Sequence, residues 1–369
     1  VVVGSVITWD LTHQSLPAQG VEAPQGAAGA DGWLATIDNT TDDGRLLKLY
    51  DLSDLTSSGI EVRQPHLSSE SIYELTGDKL MMANTTVIYV VDIDEPQVIY
   101  FEKPIQDLGH AELCFTGDEY VLMTLSGGQL SAESLSGEMI DLGIENEGIE
   151  FVRCEGNDFV FLTSDDPDKV FISNLELSGS LSYSVNASAE EEDEQTLADW
   201  GTPTDIDNST ITEVVFDRNH ILVTVNVSSV DRIVLIDRIS GEQRLLGDGK
   251  YSSYDPSIRD GVVAWVMKDF LDPTNPIEEY YDGEILYMYL SDNFTHVLTA
   301  DEIDQWGPIV LEDHLIYLEE SDNGVVIKVH SWTPELKSYS NTVLQIASVV
   351  GIIVVFIYIN QKQTEAKLV

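Results

Sequence analysis

The stretch TGDEYVLM, from Thr116 to Met123, decides the fold. Its Gly-Asp pair makes a tight turn, and a β-branched and aromatic strand follows at once. The same unit recurs as DGWLATI at Gly32, TGDKLMM at Gly77 and EGNDFVFL at Gly156. It returns as DRNHILVTV at Asn219, RDGVVAWV at Gly261 and EDHLIYL at Asp313. Successive units lie 45, 40, 39, 63, 42 and 52 residues apart. Four-stranded propeller blades recur about every 40–50 residues. The predicted fold is therefore an all-β propeller of about seven four-stranded blades, with six or eight also compatible. The turn joins the innermost strand of each blade to the second, where Gly or Asn tolerates a positive φ. A tandem β-sandwich is the competing architecture, and the single period disfavours it. The opening GSVITWDLTHQ parallels GRLLKLYDLSD at Gly44, so the N-terminus is expected to supply an outer strand to the blade begun near Pro308.

Within this pattern, GEQRLLGDGKYSSYDPSIRDGVVAWV, from Gly241 to Val266, resembles the TolB-like repeats of archaeal cell-surface propellers. The matching residues are Gly241, Pro256, Ser257, Ile258, Gly261, Val263 and Trp265. The next unit, GPIVLEDHLIYL, repeats the match more weakly. The resemblance covers about a third of the chain and implies a fold, since propellers host many unrelated functions.

Charge narrows the function. The chain of 369 residues carries 18 Lys+Arg against 65 Asp+Glu, a formal net charge of −47. Such a surface repels phosphate backbones, so no nucleic-acid partner is expected. With 43% hydrophobic residues the chain is still a folded one. Acid spread along its whole length fits a saline setting, where carboxylates keep a surface hydrated and cations screen it.

From Val343 to Ile359 the chain reads VLQIASVVGIIVVFIYI without a charge. At roughly 1.5 Å per residue, such a helix reaches the low end of a bilayer core. Lys362 and Lys367 follow it, and positive-inside bias puts them in the cytoplasm. The expected organisation is an extracellular propeller over 1–340, a transmembrane helix over 341–360 and a short cytoplasmic tail over 361–369. The plasma membrane would be reached through 343–359, with an export segment removed upstream of Val1. Sequons at Asn39, Asn84, Asn186, Asn208, Asn226 and Asn293 agree with exposure outside the cell as a glycoprotein. The two cysteines, Cys114 and Cys154, sit just before the turns of neighbouring units. A disulfide and two buried free thiols are both compatible with that spacing.

No nucleophile elbow, zincin helix, Walker loop or dinucleotide fingerprint occurs. Two interruptions of the repeat draw attention instead. Residues 186–210 carry the acidic run Glu190–Glu194 between two sequons, a composition that suits a solvated loop. Residues 268–284 mix Phe270, Tyr280 and Tyr281 with Asp272, Glu278 and Glu279. Aromatic faces beside carboxylates suit carbohydrate, peptide or cation contacts, although such a loop also packs onto its own blade. For a metal, and Ca²⁺ is the candidate cofactor, the turn DDPD offers Asp165, Asp166 and Asp168; it lacks the EF-hand pattern.

The leading expectation is a non-enzymatic binding or scaffolding module that presents a face to an extracellular protein or glycan. One alternative is an extracellular hydrolase acting on glycans or peptides with carboxylates in the central channel. Another is an accessory subunit of a membrane complex, with Ser348 and Gly351 as the small-residue face of its helix. Acids converging on the axis favour the hydrolase, and an apolar channel would exclude it.

Overall fold

The computed structural model describes residues 13–15, 27–30, 32–41, 44–53, 59–62, 72–144, 148–185, 210–227, 230–246, 252–268, 283–291, 294–299, 303–321 and 324–331. The apolar run 343–359 and the loop candidates Phe270, Asp272, Glu278, Glu279, Tyr280 and Tyr281 lie outside them. Among the described residues there is no helix long and apolar enough to cross a membrane.

Strand β1 (His13–Ser15) comes first in the chain and belongs to the last blade. Blade 1 is β2 (Ala27–Ala30), β3 (Trp33–Thr41), β4 (Gly44–Asp51) and β5 (Ile60–Val62). Blade 2 is β6 (Ile72–Thr76), β7 (Lys79–Ala83), β8 (Val87–Asp92) and β9 (Ile99–Pro104). Blade 3 is β10 (Leu108–Phe115), β11 (Tyr120–Ser126), β12 (Gln129–Ser134) and β13 (Met139–Ile140). Blade 4 is β14 (Ile149–Glu155), β15 (Asp158–Thr163), β16 (Lys169–Asn174) and β17 (Leu177–Ser184). Blade 5 is β18 (Thr210–Phe216), β19 (His220–Val227), β20 (Val230–Asp237) and β21 (Gln243–Leu246). Blade 6 is β22 (Ser252–Arg259), β23 (Val262–Lys268), β24 (Gly283–Tyr289) and β25 (Phe294–Val297). Blade 7 holds β26 (Gln305–Val310), β27 (His314–Ser321) and β28 (Gly324–Ser331), and β1 completes it.

These are seven four-stranded antiparallel sheets, which settles the blade number at seven. The first strand of each blade touches the first strand of the next, and β2 touches β26, so the ring closes. The latch is β1 on β28, with His13 opposite His330 and Ser15 opposite Lys328. Closure of this kind removes the exposed sheet edge that an open ring would leave.

Burial peaks at the second strand of each blade and falls toward the outermost. Strand β7 (KLMMA) is buried throughout, while the outermost β9 (IYFEKP) is largely exposed. Second strands read as near-continuous apolar runs because both of their faces pack against neighbouring blades. Leu80 and Met82 face blade 1, whereas Met81 and Ala83 face blade 3. The turn glycines hold the conformation for which their type was needed: Gly32, Gly77, Gly117, Gly156 and Gly261 have φ between +56° and +97°. Polar latches add to the apolar seams on that side of the ring. Arg238 of blade 5 reaches Asp158 of blade 4 at 2.6 Å and donates to the Asp217 and Arg218 carbonyls.

Candidate functional site

The seven innermost strands enclose a central cavity of about 920 Å³. Its geometry follows from counting back along each strand from the residue that closes the turn, because side chains two apart share a face. Glu112, Phe151, Glu213 and Asp255 stand four residues before closure. Glu74, Arg153 and Ser257 stand two before it, and Glu155, Asp217 and Arg259 stand at closure. Of these, Glu74, Glu112, Arg153, Glu155, Glu213, Asp255, Ser257 and Arg259 line the cavity, drawn from five blades, whereas Asp217 accepts the N–H groups of Asn219 and His220 in its own turn.

Bulges shape the level farthest from the turns. The register of β10, β14, β18, β22 and β26 against its second strand shifts near its start in every case. A bulge bends the strand and re-aims the neighbouring side chains. In β22 the bulge is Asp255-Pro256, with Asp255 at φ +48°, and in β26 it is Gly307-Pro308, with Gly307 at φ +60°. The Gly307 N–H donates to the Asp255 carboxylate across the blade boundary.

The cavity is electrostatically uneven. Glu74, Glu112, Glu155, Glu213 and Asp255 line it, against Arg153 and Arg259. Burial pushes the Glu213 carboxyl up to about 7, Asp255 adds to the rise and Arg153 opposes it. Burial also holds Glu74 well above the usual carboxylate range, and the neighbouring Glu112 strengthens the effect. Glu74 and Glu112 are themselves hydrogen-bonded, which adds to the rise at Glu74. His110 Nε2 lies 2.8 Å from Glu112 Oε1 and continues that network, with its ring 5.4 Å from that of Phe151. Glu155 and Asp255 are raised as well, first by burial.

A stability consequence follows for Glu213. Its folded-state affinity for protons exceeds that of a free glutamate, whose reference value is 4.5. The native state then binds more protons than the unfolded state between about pH 4.5 and 7, so stability falls as pH rises through that window. Glu213→Gln is expected to melt like the parent near pH 4.5 and at a higher temperature above pH 7. Thermal midpoints measured from pH 4.5 to 8.5 check this; a gap that stays constant with pH would contradict it.

The residues singled out from the sequence are placed elsewhere. Asp165 and Asp168 are exposed, and Asp166 Oδ1 pairs with Lys169 Nζ at 2.7 Å. Among the described residues no group of three or more His, Cys, Asp or Glu is arranged to hold a metal ion. The loop candidates belong to a segment that joins Lys268 at the end of β23 to Gly283 at the start of β24. Of the sequons, Asn84 accepts the backbone N–H groups of Thr86 and Val87, and Asn226 Nδ2 donates to Asp231. Asn39 lies in β3, while Asn186, Asn208 and Asn293 fall outside the described residues. Cys114 and Cys154 form a disulfide between the innermost strands of blades 3 and 4, with Cα atoms 5.7 Å apart.

The channel residues were not singled out by sequence reasoning, yet a signal was present. In a strand walled by its neighbours, charges at alternate positions before the turn, as in Phe151-Val-Arg153-Cys-Glu155, are out of place for a packed core.

No protein-family model matches the chain, and no curated protein matches it. Solved structures do. The chain is similar to the β-propeller domain of the Trilobed protease from Pyrococcus furiosus, at TM-score 0.55 and 12% identity over 84% of this chain and 95% of that one. It is similar to streptogramin B lyase at TM-score 0.54 and 10% identity, over 86% and 97%. A prolyl endopeptidase matches at TM-score 0.55 and 12% identity over 85% of this chain. The chain spans only half of that endopeptidase and 28% of the tricorn protease, the latter at TM-score 0.41. At these identities the likeness is one of fold, and the fold is a seven-bladed β-propeller.

Proposed function

We propose that this chain is a membrane-anchored β-propeller of the cell surface that binds a ligand in its central channel. The observation that carries the reading is the convergence of five carboxylates and two guanidiniums on one 920 Å³ cavity. Isolated buried charges are costly, and a scaffold that used only its rim would gain nothing by gathering them on the axis. The acidic surface, the charge-free run 343–359 and the TolB-like stretch 241–266 support a place outside the membrane. The Cys114–Cys154 bridge supports it too, because structural disulfides persist in oxidising compartments.

Two experiments test the two halves of the proposal. Deleting everything after Asn341 is expected to release the domain from membranes in soluble, folded form; a truncated protein still pelleting after carbonate washing would remove the anchor. For the channel, ligand-induced stabilisation of the full chain is measured across peptides, glycans and small ions, then repeated on Arg153→Gln. Stabilisation lost in that variant supports the channel. Stabilisation that no channel substitution alters would move the site to the rim.

A hydrolase is the second reading, and one observation favours it. Glu74, its proton affinity raised by burial, hydrogen-bonds Glu112 beside His110 in a cavity that solvent enters, an arrangement suited to acid–base work on water. Several structural neighbours are peptidases that carry a propeller. Turnover of a peptide or glycan that Glu112→Gln abolishes without lowering its melting temperature would establish this reading over simple binding.

A further inference from the structure

We infer that the ligand of the channel presents an organic cation, an alkylammonium or guanidinium head, to the level formed by Glu112, Glu213 and Asp255. This rests on the reading of the channel as a ligand site. The first observation is the cavity itself: at about 920 Å³ it is far larger than a bare ion needs and falls in the range of small-molecule sites. The second is its wall. Trp306 and Ile258 line it among the acids, giving apolar and aromatic surface for an organic stem or a cation–π contact. The third is the charge count. Five carboxylates face two guanidiniums, so with every group ionised the cavity holds an excess of negative charge. Burial makes that excess costly, and the proton affinities of Glu74, Glu213 and Asp255 are raised accordingly. A cation would relieve that excess and displace a proton in doing so.

A metal ion is the poorer occupant, because no three acid or imidazole groups among the described residues converge as ligands. Arg153 stands two residues deeper than Phe151 on the same strand and opposes the rise of both Glu74 and Glu213. It prevents a second positive group from entering deeper and leaves room there for a ligand's acidic or polar end. At the turn side, Glu155 is balanced mainly by Arg259, with Asp217 and Asp260 adding negative charge. The cation is therefore placed at the bulged level, where Asp255 and Glu213 repel each other.

The experiment is calorimetric titration of the full chain at fixed ionic strength, from pH 5.5 to 8.5. Agmatine is the probe for a free amine and a blocked dilysine amide the probe for a peptide; Mg²⁺, maltotriose and citrate are the comparisons. Both cationic probes keep their charge over this range. So do ordinary surface carboxylates, and adventitious binding to the acidic exterior therefore has no reason to vary with pH. One site is expected, with affinity about 30-fold weaker at pH 5.5 than at 8.5, since a carboxyl titrating near 7 must ionise to receive the cation. Glu213→Gln should weaken binding at pH 8.5 about tenfold and flatten the pH dependence, while Glu213→Asp should keep it. Preference for one of the two cationic probes tells a metabolite from a peptide. Binding of neither, or pH-independent binding at many sites, overturns the inference. Citrate or maltotriose binding that Arg153→Gln abolishes would overturn the cation while leaving the channel as a ligand site.

Discussion

Trp265→Ala, which truncates the largest fully buried side chain among the described residues, is expected to lower the thermal midpoint by about 4–8 °C. Trp265 sits on the second strand of blade 6, opposite Leu286 on the third, and is fully buried. It packs between blades 5 and 6 with Val215, Leu222, Ile233, Leu235 and Met288. Truncating such a side chain removes its transfer free energy and leaves a cavity, together costing about 3–5 kcal/mol. Over the roughly 320 residues of the ring, the unfolding entropy makes each kcal/mol worth about 1.5 °C. The indole N–H adds a second test. Among the described residues it has no hydrogen-bond partner, and an orphaned buried donor costs about 1–3 kcal/mol. Trp265→Phe removes that donor while keeping most of the ring, so its loss should stay below about 2 kcal/mol. Parallel melts of the three proteins decide the matter. A phenylalanine variant as unstable as the alanine one would mean that the N–H is satisfied and does more than the packing.

Trp265 also shows why so much of the fold could be read in advance. Each blade closes a turn at the axis and then buries its second strand on both faces, so local chemistry is forced at fixed points. The turn needs a residue that accepts positive φ, as Gly77 and Gly261 do, and the strand after it must be apolar, as VVAWV is. Those demands repeat seven times and survive insertions such as the one that stretches a spacing to 63 residues. The channel makes no comparable demand on any one unit. Glu213 is one of 65 acids in the chain, and nothing in TITEVVF says that Asp255 will come close enough to raise its proton affinity. That encounter exists only after ring closure, between residues supplied by different blades. Sequence reading turned instead to loops rich in charge and aromatics, where composition is conspicuous and structural constraint is weak. The better signal was misplaced charge: Arg153 between Val152 and Cys154, and Glu112 between Ala111 and Leu113, on innermost strands.

Removing the Cys114–Cys154 bridge is expected to cost about 4 kcal/mol and to loosen the channel at the same time. The two residues are 40 apart in sequence, and the chain-entropy model gives about 4 kcal/mol for a closed loop of that length. Both are buried, Cys114 at 1% and Cys154 at 9% exposure, so the bond is protected until the ring opens. Its position gives it a second role. Cys114 is two residues from Glu112, and Cys154 lies between Arg153 and Glu155, so the bridge fixes two charge-bearing strands against each other. The Cys114→Ala/Cys154→Ala protein should therefore melt about 6 °C lower than the oxidised parent. Its midpoint should not respond to reductant, whereas the parent's should fall to meet it. Apolar contacts between blades 3 and 4 persist in the double variant, since Val121, Met123, Val152 and Phe159 fill the same seam. The ring should thus still form, and the loss should appear as lower stability together with weaker ligand binding. A double variant that melts with the parent would mean that the unfolded chain is already as compact as the bridge makes it, and that blade packing alone holds the charged strands in register.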